Sequence, residues 1–63
     1  MNVLEVVVKN LEEKKQQITE FVASGKAVDF ENYAALVGEI RGLNYAINEL
    51  KETNDNLLKD DDE

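Results

Sequence analysis

"LVGEIRGLNYAINEL", residues 36–50, carries two patterns at once. Leu36, Ile40, Leu43, Ile47 and Leu50 are spaced 4, 3, 4, 3, the seam of a helix that lies along another helix. The same stretch holds Gly38 and Gly42, and with Ala34 and Ala46 they repeat every fourth residue. At 3.6 residues per turn such a row drifts slowly around the helix, so it forms a ridge of small residues pointing largely away from the seam. Ala35 lies beside it. Gly inside a helix costs roughly 1 kcal/mol relative to Ala. Two of them in one helix centre suggest close approach by another backbone or a bulky side chain, the use such ridges find between membrane helices.

Outward from this stretch, the seam continues to Asn54 and Leu57. A single Asn in a seam often fixes register or oligomeric state; the plainer alternative is that the helix has frayed there. Upstream, Asp29 is a candidate N-cap, with Val28 and Tyr33 placed for a hydrophobic staple. Ser24-Gly25 is a stop signal, since Gly25 suits the left-handed position just past a helix end. Before it, Leu4, Val7, Val8, Leu11, Ile18, Phe21 and Val22 recur at helical spacing, interrupted by Lys14 and Lys15, whose stems can cover apolar surface. Asn2 and Glu5 suit a capping box. Val6-Val7-Val8 is β-branched and leaves a strand over residues 3–8 as an alternative, although "NLEEKKQQITE" after it is strongly helical.

The expected fold is therefore all-α: an antiparallel helical hairpin with a helix over about 3–23, a turn over 24–29 and a helix over about 30–57. The hairpin domain spans 1–58 and an acidic disordered tail 59–63. The longer second helix leaves Leu57 and Leu58 without cover from the first. From Tyr33 to Asn48 only Glu39 and Arg41 are ionised. A helix apolar nearly all round is normally buried all round, and one neighbouring helix covers one stripe. The first helix could pack on the glycine ridge, with the leucine seam completing a small core. The alternative favoured by the charge count is that the remaining face meets a second copy or a larger protein. The expected interface comprises Ala34, Gly38, Arg41, Gly42, Tyr45, Ala46, Leu57 and Leu58. Tyr45 would be its amphipathic anchor, and Arg41 either pairs with an acid across it or stays solvated.

Composition narrows the chemistry. The 63 residues include no His, Cys, Pro or Trp, and 14 acids against 7 bases give a formal charge of −7. Thiol nucleophiles, imidazole bases, disulfides and the usual zinc sites fall away together. The acidic balance argues against direct binding of nucleic acid. Residues 51–63 carry six acids and two bases, so −4 of the −7 lies there. No stretch is long and apolar enough for a membrane span, and "MNVLEVVVKNLEEKK" has no basic n-region of a signal peptide. Ser24 lacks a base, Glu12 and Glu13 point in different directions on a helix, and no phosphate loop follows either helical glycine. The acids of 60–63 lack the spacing of a formed calcium loop. The expectation is a non-enzyme with no cofactor, metal or small-molecule substrate. A chain this small sits near zero in the balance of burial against ordering entropy. A protein partner or homo-oligomer is then expected.

Residues 23–50, "ASGKAVDFENYAALVGEIRGLNYAINEL", resemble a pattern found in short two-helix proteins encoded by tailed bacteriophages. Shared features are a small-Gly turn, an Asp-Phe start to the second helix, a "GEIRGL" core (Gly38 to Leu43) and an acidic end. The resemblance implies a virion or assembly role beside the portal, tail or capsid, in the host cytoplasm during assembly or in the virion. It brings no catalytic residues. Three functions follow as expectations: a multi-copy structural module, a small acidic inhibitor docking on a basic host surface, and a plain homodimeric four-helix bundle.

Overall fold

A computed structural model describes residues 2–61. Two helices, α1 (Val3–Ala23) and α2 (Phe30–Asp61), form an all-α hairpin. Cross-helix pairs run Asn2 with Asn54, Glu12 with Lys51 and Lys15 with Asn44, so numbering falls along α2 as it rises along α1 and the helices are antiparallel.

Residues 3–8 are helical, β-branching notwithstanding. The start of α1 is held by the capping box: Glu5 N–H donates to Asn2 Oδ1 at 2.8 Å, and Asn2 N–H donates to Glu5 Oε2 at 3.3 Å. This satisfies two donors that a helix start would otherwise leave open. At the other end Ser24 N–H donates to the Glu20 carbonyl at 3.0 Å and Gly25 N–H to that of Val22 at 3.1 Å. Gly25 turns the chain at φ 78°, where a Cβ would be strained. The start of α2 is polar: Asn32 N–H donates to Asp29 Oδ1 at 2.8 Å, and Val28 N–H donates to Asn32 Oδ1 at 3.2 Å.

The Val28–Tyr33 staple is absent. Val28 is 86% exposed, too open to cover Tyr33. Asn32 occupies the Val28 N–H instead, so hydrogen bonding rather than apolar contact sets how the chain joins α2. The end of α2 also differs from the expected limit near 57, because the helix continues to Asp61. No Gly or Pro follows Ile47 to stop it, and Lys59 in the last turn favours the negative end of the helix dipole. The expected tail over 59–63 thus overlaps α2 as far as Asp61, and residues 62–63 lie outside the described ones.

The two helices meet seam to seam. On α1 the inward residues are Leu4, Val8, Leu11, Lys15, Ile18 and Val22; on α2 they are Leu36, Ile40, Leu43, Ile47, Leu50 and Asn54. Both rows follow the same 4, 3, 4, 3, 4 spacing, so the inward positions stay in contact along the hairpin. Only Val8 (7% exposed) and Ile47 (4%) are buried among the described residues. Val7 and Phe21, expected in the α1 stripe, fall off this row and stand at 37% and 41% exposure. The Cα envelope measures 52 × 18 × 13 Å, a single layer of helices.

Candidate interaction surface

With α1 on the seam, the small-residue ridge is free. Ala34, Gly38 and Gly42 are exposed, and a Cβ built on either glycine would meet nothing within 4 Å. The packing of α1 on the glycines is thereby overturned, since the leucine seam outcompetes them for the same neighbour. Arg41 is exposed and Tyr45 is 70% exposed on this outward face, while Ala46 is half-buried at its edge. Leu57 and Leu58 are 52% and 50% exposed. They sit past Asn54, where α1 begins, and about 22 Å along the axis from Gly42. The expected interface residues thus fall into two places, the outward face of α2 and its overhang.

The two flanks of the hairpin differ in kind. One is marked by the Lys51–Glu12 ion pair at 3.7 Å and the Lys15 Nζ–Asn44 Oδ1 bond at 3.0 Å. An open groove of about 660 Å³ runs there, lined by Leu4 and Val8 of the seam together with Glu5, Lys9, Glu12 and Lys51. Both members of the ion pair are at least half exposed, so it adds little, about 0–1 kcal/mol. At about 100° per residue, Val7 and Phe21 lie on the opposite side of α1 from Glu12. Antiparallel packing brings that side next to Ala35, Gly42 and Ala46 of α2. In the sequence Val7 and Phe21 belong to the same apolar stripe as the seam residues. The signal that separates them is the 4-3 row through Lys15, which excludes both.

Local chemistry is sparse. The Ser24 hydroxyl donates to the Phe21 carbonyl at 2.7 Å, a helix-end bond. No group of three or more carboxylates placed to hold a metal ion occurs among the described residues. No helix of the described residues is long and apolar enough to cross a membrane. Compared with family models, curated proteins and solved structures, the chain matches none.

Proposed function

We propose that the protein is a non-catalytic structural module, present in several copies in a tailed-bacteriophage particle or its assembly, that packs the small-residue face of α2 against a protein partner. The single observation carrying the interaction is the open space over Gly38 and Gly42 in the middle of a long helix. Each glycine weakens α2, and nothing within the hairpin uses the room it leaves. A contacting helix or aromatic side chain would use it, with Tyr45 alongside as anchor. The phage context rests on the "GEIRGL" resemblance and on nothing else.

Gly38→Leu tests the reading. Leu suits a helix better than Gly, and the hairpin has room for it. The expected outcome is retained or raised helix content with loss of the chain from purified particles. Equal incorporation of the variant would sink the proposal. Deleting residues 59–63 separates the inhibitor alternative, which predicts loss of a basic target and strong salt dependence. The structural module keeps assembling without them.

A further inference from the structure

We infer that the apolar flank of the hairpin, built on Val7 and Phe21 of α1 beside Gly42 and Ala46 of α2, is the seat of a second copy of this chain, giving an isologous homodimer of four helices. This deepens the reading above, resting on its claim that the small-residue ridge of α2 meets a protein partner: it assigns the Gly42 and Ala46 end of that ridge to a second copy and leaves Gly38 and Tyr45 for another partner. Three observations converge on the second copy.

The first is layering. A stable domain packs at least two layers of secondary structure around a core. This hairpin is one layer, 13 Å in its thinnest Cα dimension, with two buried residues among those described. Neither disulfide nor metal can make up the difference in a chain without Cys or His.

The second is area. The chain exposes 4985 Å², whereas a compact protein of 7.1 kDa exposes about 4,100 Å². A compact body of two chains would expose about 6,800 Å², so pairing to ordinary compactness removes about 3,200 Å² in total, within the range of obligate homodimers. Two hairpins in face-to-face contact make a four-helix bundle, the common solution for such pieces.

The third is charge. A surface that meets its own copy must avoid like-charge contacts. On this flank the ionised side chains are Lys14, Glu39 and Glu49, the last in the same heptad position as Ala35 and Gly42, so the flank carries one base against two acids and little of the net charge of −7. The opposite flank carries Glu5, Lys9, Glu12, Lys51 and Asp55. The small side chains of Gly42 and Ala46 let helices approach, and Val7 and Phe21 supply apolar area already at the rim.

Sedimentation equilibrium of the full chain, with no phage component present, is expected to give twice 7.1 kDa. A cooperatively melting monomer, or a mass that is not an even multiple of 7.1 kDa, overturns the dimer. Because the wild-type chain has no cysteine, single thiols locate the face. Val7→Cys is expected to lose at least about tenfold in maleimide labelling rate as protein concentration rises through the dimer dissociation constant, while Lys9→Cys labels at one rate throughout. Equal behaviour of the two thiols overturns the assignment of the flank. Gly42→Leu is expected to weaken the dimer at least about tenfold and Gly38→Leu to leave it intact. A dimer indifferent to Gly42→Leu also counts against the flank. Since all these readouts use the isolated chain, their failure leaves the particle-incorporation test of the outward face standing.

Discussion

Asn2, the N-cap of α1, is tied to Asn54 in the seam of α2: Asn2 Nδ2 donates to Asn54 Oδ1 at 2.8 Å while Asn2 Oδ1 caps the helix through Glu5 N–H. One amide side chain thus uses its acceptor to start its own helix and its donor to fix where the partner helix stands. The bond joins residues 52 positions apart. A one-turn slip of α2 would leave Asn54 half-buried without this partner, which penalises the wrong register.

The two uses of Asn2 can be separated by substitution. Asn2→Asp keeps the acceptor for Glu5 N–H and removes the donor to Asn54; Asn2→Ala removes both. The expected loss for Asn2→Ala is about 1–2 kcal/mol, the scale of a lost N-cap with its cross-helix bond. Asn2→Asp is expected to lose less than half of that. Thermal melts followed by circular dichroism decide it, with about 4–8 °C of Tm per kcal/mol for a domain of this size. Equal melting of both variants would show that the bond to Asn54 carries the whole effect and the cap none.

The hydrophobic centre is narrow, so truncations should fall into two classes. Ile47→Ala, at a site 4% exposed, is expected to cost about 2–5 kcal/mol. Leu57→Ala, at 52% exposure beyond the reach of α1, is expected to change hairpin stability by less than about 0.5 kcal/mol. Urea titration of each variant gives the comparison. A loss at Leu57 comparable with that at Ile47 would mean that the overhang is covered by something other than α1.

What was legible in the sequence and what was not divides along physical lines. The capping box at Asn2, the glycine turn at Gly25 and the seam from Leu36 to Asn54 depend on residues three or four apart, so the chain spells them out. Asn54 carried two readings, and the bond from Asn2 distinguishes register from fraying only once a residue 52 positions away is in place. The end of α2 lies beyond the expected limit because that limit rested on Leu57 as the last apolar member of the seam, whereas no Gly or Pro after it breaks the helix before Asp61. Lys15 was read as an interruption when it is a member of the α1 row, half-buried with its ammonium on Asn44. Val7 and Phe21 share the broad apolar stripe of α1 with the seam residues, and only the placement of α2 separates them as a flank.

Substitutions at the two helical glycines test whether the hairpin itself needs them. With nothing within 4 Å of a Cβ at either position, Gly38→Ala and Gly42→Ala are each expected to stabilise the isolated helix pair by up to about 1 kcal/mol. Helix content by circular dichroism, at concentrations low enough to suppress association, gives the hairpin term alone. Destabilisation under those conditions would mean that the glycines serve the hairpin, and the case for an external contact over them would fall.

Lys15 offers the most direct measure of what the seam wants. Its stem lies between Leu11 and Ile18 in the α1 row, while its ammonium donates to Asn44 Oδ1 at 3.0 Å at the edge of the helix pair. Half-burying a lysine costs side-chain entropy and part of its hydration, and the bond to an exposed Asn returns about 1 kcal/mol at most. Lys15→Leu keeps the packed stem, drops the charge and completes an apolar 4-3 row from Leu4 to Val22. It is therefore expected to raise the denaturation midpoint, by the equivalent of about 1 kcal/mol, whereas Asn44→Ala lowers it by no more than about 1 kcal/mol. If Lys15→Leu destabilises instead, the ammonium–Asn44 bond contributes more than an apolar side chain would at that place in the row, and polar contact rather than apolar burial dominates the middle of the hairpin.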